Sequence, residues 1–299
     1  MERTIEQTIT SLSKNRAMVW MRGLRLPRPN RWQVMGILLL FVLWEAFAWY
    51  VHFDNPRRAN KMFPRIEYII ATSFPEFATY YGFEQGLLGF RSNAWFALVV
   101  LFENSLVTVR RVVIGIVAGV GLGVGVGLLI GWSRQARDII LPPILLLRTI
   151  PILALIPLFM FWFGAQEIGI LIYITFAIFS IVIVNTLEAI RNLPSIYHDY
   201  ARCMGATRWQ VYRTIVMPAI VPALTGGIRV VIGISWAITL AGEFLATDSG
   251  LGWLMILSER FLMTGRMVVI VVLFVLFSLI FNSIFLRFSG FLTRWMPRG

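Results

Sequence analysis

Six stretches of the chain, roughly 34–53, 107–131, 139–163, 167–187, 221–244 and 267–288, are each dominated by apolar residues for about 20 positions or more. That is the length a helix needs to cross the ~30 Å hydrocarbon layer of a bilayer. The whole chain is 58% hydrophobic with a mean hydropathy of +0.75, above the roughly 45–50% apolar content of soluble domains. The expected fold is therefore all-α: a polytopic membrane helical bundle with about six transmembrane helices. The single cysteine, Cys203, excludes an internal disulfide framework. A net charge of +12 invites a nucleic-acid reading, but the basic residues are not gathered into one domain. The expected partner is the lipid bilayer, and no nucleic acid is expected.

Basic residues distribute by membrane side. Placing both termini in the cytoplasm puts sixteen Lys and Arg residues in the inner segments and seven in the outer ones, with four inside or bordering the spans. Because Lys and Arg accumulate in cytoplasmic loops, both termini and the 188–220 loop are expected inside. The expected organisation is a cytoplasmic segment over 1–33, a first span with a long external segment over 34–106, a core over 107–290, and a cytoplasmic tail over 291–299. The first 33 residues are too long and polar for a signal-peptide n-region, and no small-residue cleavage site follows the first apolar run. That span is expected to be retained. Ile5, Ile9 and Leu12 fit either an amphipathic surface helix or a disordered tail.

The polar loop carries the strongest local pattern. Ser195 is placed to cap a short helix with Ile196, Tyr197, Tyr200, Ala201 and Met204 at helical spacing, and Gly205 to stop it. Thr207 followed by Gln210 reads as a capping box opening a second helix, with Val211, Tyr212, Ile215 and Val216 on one face. Pro218 and Pro222 are expected to end that helix before the fifth span. Two short helices hinged at a glycine, between apolar blocks, suit a surface pressed against a soluble partner.

This loop resembles the cytoplasmic loop of binding-protein-dependent ABC importer permeases, whose pattern is Glu-Ala-Ala, three residues, Gly, nine residues, Ile-x-Leu-Pro. Ala201, Gly205, Ile215 and Pro218 keep that spacing, while Asp199, Tyr200 and Met217 replace Glu, Ala and Leu. A second run, Arg148-x-Ile150-Pro151 with Leu155-Ile156-Pro157 and Trp162-Phe163-Gly164, resembles the same family and extends the likeness to about 105–290. The resemblance is to the branch serving nitrate, sulfonates, taurine and related small anions. It implies a permease of the bacterial inner membrane, working as a homodimer or paired with a related permease, with two cytoplasmic ATPase subunits and an external or periplasmic solute-binding protein. Docking to the ATPase would fall on Asp199, Ala201, Gly205, Ala206, Arg208, Trp209, Ile215 and Pro218. Arg208 and Trp209 are chosen as principal contacts, because Arg and aromatic anchors dominate interface energies.

Inside the spans, Gly115, Gly119, Gly123, Gly127 and Gly131 recur every four residues among Val, Leu and Ile. Apolar neighbours argue against a phosphate loop. Small residues at this interval let membrane helices approach closely, within the chain or between subunits. In the third span Pro142, Pro143, Pro151 and Pro157 each remove a backbone donor, so this helix is expected to be kinked or broken and to line a pathway. Arg148 and Arg229 lie about 12 Å deep by helical rise, placed to meet an anion in transit or to snorkel to the cytoplasmic face. Glu243 and Trp236 complete the expected pathway set, with Glu243 able instead to pair with an outer base.

Catalytic constellations are absent. His52 and His198 fall on opposite expected sides, and the two lysines, Lys14 and Lys61, follow no phosphate-loop glycine. No catalytic residue, metal ligand or cofactor is expected on this chain. ATP use would belong to a partner subunit. An ion-coupled secondary transporter is the alternative, but the spans are poor in the carboxylates and His such a relay needs.

Overall fold

A computed structural model describes residues 31–54, 61–79 and 94–294. The chain divides into two compact units, 1–56 and 57–299. The described part of the first is one apolar helix, α1 (Arg31–Asp54), long enough to span a bilayer. Residues 1–30, and with them Ile5, Ile9 and Leu12, lie outside the described residues.

The described residues of the second unit form helices joined by short turns, with brief helical turns at 66–73, 75–79 and 152–155 beside the longer helices. Its elements are α2 (Ala94–Trp132), α3 (Arg134–Thr149), α4 (Ile156–Phe163), α5 (Glu167–Arg191), α6 (Ile196–Cys203), α7 (Arg208–Ala246), α8 (Leu251–Arg260) and α9 (Thr264–Leu292). With α1, five helices can span a membrane on their own, and α3 with α4 makes a sixth if that bent pair counts as one span. Helix α5 is central. Its buried Ile170, Tyr173, Ile174, Ile178 and Val182 pack with Ile156 and Phe159 of α4 and Val231, Ile238 and Ala246 of α7. Its other end packs Ile183, Val184 and Leu187 against Ile130 of α2.

Helix α2 begins at Ala94, thirteen residues before the expected start of that span. The earlier residues form helix as readily as the later ones. Glu103, Asn104 and the arginines interrupt only the run of hydropathy, not the backbone. Arg110 and Arg111 therefore lie in mid-helix rather than at a helix start, and Arg111 is buried. The first turns of α2 pack Ala97, Val100 and Leu101 with Phe77, with Leu251 and Leu254 of α8, and with Ile270 of α9.

The third span is broken. Its halves, Arg134–Leu147 and Ile152–Phe163, meet at 85°. Pro142 and Pro143 stay inside α3, and the break falls at Ile150–Pro151. Ile150 has ψ of 126°, the extended conformation that a following proline imposes.

Candidate coupling surface and membrane-embedded contacts

The loop after α5 folds as two locally determined turns. Gly205 has φ of +78°, a left-handed conformation that costs an L-residue about 1–2 kcal/mol and costs glycine nothing. Its amide bonds the Arg202 carbonyl at 2.9 Å, and the Ala206 amide bonds the Ala201 carbonyl at 3.1 Å. These are the two hydrogen bonds of a Schellman stop. Next, the Gln210 amide donates to Thr207 Oγ1 at 3.4 Å while the Thr207 amide donates to Gln210 Oε1 at 2.8 Å, a reciprocal capping box. Ser195, by contrast, caps nothing. Its backbone is already helical, so its side chain is not directed at the next turn's amides. Pro218 and Pro222 also fail to end the second helix. Pro218 sits in the first turn of the Met217–Ala246 stretch and Pro222 inside it. The turn Tyr212–Val216 is widened to i+5 bonding, and the helix runs on to Ala246.

The apolar faces of the two turns have different fates. Val211, Tyr212 and Val216 are buried in the protomer. On α6 Ala201 is buried while Ile196, Tyr197 and Tyr200 are exposed, as are Met204 just beyond it and Trp209 on the next turn. Asp199, Gly205, Arg208 and Pro218 are exposed, and Ala206 and Ile215 are half-buried.

In α2 the five glycines face α5 one after another. A Cβ on Gly115 would strike Ile174, on Gly119 Ile178, on Gly123 Val182, on Gly127 Thr186 and on Gly131 Ile190. Both partners advance by four residues, so the helices run parallel with their backbones almost touching. At Gly119 a Cβ would also lie 2.9 Å from the Thr175 carbonyl oxygen, which cannot rotate away. Gly121 and Gly125 face open space and take no part.

At the far end of the same helix pair is a buried ionic cluster. Arg111, 1% exposed, donates Nη1 to Glu243 at 2.8 Å and to the Ser249 carbonyl at 2.8 Å. Its Nη2 meets Glu167 at 2.6 Å, and Glu167 also takes Arg110 at 2.7 Å. Glu243 further accepts from Thr108 Oγ1 at 2.9 Å and from the Gly252 amide at 2.8 Å. Thr108 Oγ1 receives the Leu251 amide, and Asn104 Oδ1 the Gly250 amide, both at 2.8 Å. Arg111 and Glu243 are thus buried as a pair, as buried charge requires, while the half-exposed Arg110 and Glu167 complete the balance nearer the surface. A Cβ on Gly250 or Gly252 would come within about 2.6 Å of Glu243 atoms, which explains glycine at both positions.

Among the described residues, the members of the expected pathway set lie in different surroundings. Glu243 is enclosed in this cluster, pairing with the base Arg111 rather than facing an open path. Trp236 is buried against α9, stacked on Phe277 at 6.0 Å and edge-on to Phe274 and Phe281. Arg229 is exposed and donates Nε to Asn282 of α9 at 3.0 Å. Pro151 is exposed at the break of the third span. The side chain of Arg148 lies outside the described residues.

Residues 115–297 match the family model of the binding-protein-dependent transport system inner membrane component. The chain belongs to this family. It is 28% identical to the putative aliphatic sulfonates transport permease SsuC of Bacillus subtilis, over 65% of this chain and 71% of that one. It is 30% identical to the taurine transport system permease TauC of Escherichia coli, over 55% of this chain and 60% of that one. Among solved structures, the inward-facing MetNI methionine ABC transporter aligns with a TM-score of 0.55 at 18% identity, over 66% of this chain and 97% of the matched chain. That likeness speaks to the fold.

This ABC importer permease is thus a multi-pass membrane protein of a system that works with an ATPase and a solute-binding protein. The ion-coupled alternative gains no support, because its best membrane carboxylates, Glu167 and Glu243, are both engaged by arginines. Sequence reasoning did not assemble Arg111, Glu167, Glu243, Thr108 and Asn104 into one cluster. The available signal was charge of both signs at the same expected end of three different spans, which in hydrocarbon calls for pairing.

Proposed function

We propose that this permease imports a small organic anion of the sulfonate class, in a complex whose ATPase docks on the 195–209 turn. The excess of Lys and Arg in alternate segments supports a cytoplasmic side for both termini and for this turn. ATP is bound by the partner subunit, two of which serve two permease chains. The substrate class rests on the relatives named for aliphatic sulfonates and taurine.

A polar turn between membrane helices holds Tyr197, Tyr200, Met204 and Trp209 more than half exposed, while glycine and cap geometry fix its shape. Clustered exposed aromatic and Met side chains mark an interaction surface, and Arg202 and Arg208 beside them supply directional donors. A preshaped turn loses little entropy on binding. Arg208→Ala with Trp209→Ala is expected to abolish co-purification of the ATPase, or to uncouple hydrolysis from taurine or alkanesulfonate uptake, while insertion stays normal. Unchanged assembly and uptake would refute the docking assignment. Uptake of neither anion by an otherwise active complex would refute the substrate class alone.

A further inference from the structure

Between the docking turn and the membrane core lies a mechanical weak point. Residues Tyr212–Val216 form a widened turn in which the Met217 amide reaches back five residues, to Tyr212. Such turns relax helical register and are poorer rods than α-helix. Force applied at Arg208 or Trp209 and carried only along α7 must pass through this turn. A second connection bypasses it. Trp132, the last residue of α2, packs edge-on against Trp209 with ring centroids 5.5 Å apart and against Tyr212 at 4.9 Å. The Tyr212 hydroxyl donates to the Leu128 carbonyl at 2.5 Å, one turn back in α2. Gly131 lies between them, and a Cβ there would sit 3.5 Å from the same hydroxyl.

We infer that Trp132 and Tyr212 are the positioning residues that transmit ATPase movement from the docking turn into α2. The inference rests on the docking assigned above. The receiving helix is suited to the task. From Gly131 to Gly115 its glycine face is seated on α5 with almost no slack, and about 30 Å beyond Trp132, at 1.5 Å per residue, Arg111 ties it to Glu167 and Glu243. A displacement at Trp132 therefore moves α2 and α5 together. The broken third span is joined to this pair at both ends, at Ser133 and near Gln166, and its 85° break is the point where it can yield as the pair moves against the rest of the bundle. Trp132 and Trp209 are each about half exposed, so their contact is not forced by core packing. Edge-on aromatic pairs contribute contact energy with a defined geometry. The aromatic ring of Tyr212 would pack equally well as Phe; its hydroxyl adds a bond that resists sliding of α7 along α2.

The test uses the complex with its ATPase, reconstituted from a Cys203→Ser background that leaves the permease cysteine-free. Single cysteines are placed at Ile150, Leu153 and Ala154, exposed positions around the bend of the third span. ATP with vanadate is expected to change the alkylation rate of at least one of them by roughly tenfold, a population shift between two arrangements. Adding Trp132→Ala or Tyr212→Phe is expected to bring that change below roughly twofold, with the ATPase still co-purifying and hydrolysing ATP. Trp132→Phe is expected to restore it. A full alkylation change in either variant would overturn the relay. So would loss of the ATPase from the Trp132→Ala complex, because Trp132 would then be a docking contact. No alkylation change at any site in the parent complex would also overturn the relay, because the bend would not respond to the ATPase at all; failure of the docking assignment itself would show instead as unchanged assembly and uptake in Arg208→Ala with Trp209→Ala.

Discussion

The two ends of the α2–α5 pair are built by opposite means. At the docking end, shape comes from bonds between residues no more than five apart, Ala201 with Ala206 and Thr207 with Gln210, and the apolar side chains are left outside. At the other end, Arg111 reaches residues 56 and 132 positions away, and its charge is sealed from solvent. A local turn can hold its form when a partner pulls on it, because nothing distant must rearrange. A buried ion cluster can hold several helices in one register, because any shift strands a charge. The first arrangement suits a surface that is gripped, the second a clamp that must not slip.

Removing the clamp is expected to have the largest effect. Arg111→Ala leaves Glu243 buried without its cation, and breaking a buried pair costs about 3–5 kcal/mol. Thermal unfolding of the detergent-solubilised protein should show a much less stable permease or none at all. Arg111→Met with Glu243→Leu removes both charges and should recover most of the loss. If Arg111→Ala proved as stable as the parent, the contrast between the two ends would disappear.

The same contrast explains what the sequence discloses. Glycine stop and capping box are legible because every partner lies within one turn, and a turn's chemistry is written in adjacent letters. The glycine interval in α2 announces close packing, but only the fold identifies α5 as its neighbour. Glu243 reads as a pathway residue when its depth alone is known. The three partners of its carboxylate, Thr108, Arg111 and Gly252, come from α2 and the start of α8, and no periodicity links them. Helix α2 reaches back thirteen residues beyond the apolar run that begins at 107 for a related reason. Hydropathy reports where lipid can be, while helix formation also continues through polar positions such as Asn104, whose side chain bonds the Val100 and Gly250 backbone.

A middle-sized effect tests whether the seam transmits rigidity between the ends. Gly119→Leu drives a branched side chain into Ile178 and the Thr175 carbonyl, and overpacking of this kind costs typically about 1–3 kcal/mol. Gly121→Leu, two residues away and facing open space, should be close to neutral. Equal stability of the two variants would mean that α2 and α5 separate freely, and the docking turn and the clamp would then be mechanically independent.

The smallest effect falls on the docking turn itself. Thr207→Ala removes the N-cap oxygen that receives the Gln210 amide, a loss of about 1 kcal/mol for a typical cap. Because the cap stabilises one exposed turn and no core, global thermal stability should move little. The change should appear instead as faster amide exchange over 207–211 and weaker ATPase binding. Thr207→Asp keeps a capping oxygen and should restore both. A Thr207→Ala protein that unfolds globally, like Arg111→Ala, would show that the turn is part of the structural core and not an appendage shaped for a partner.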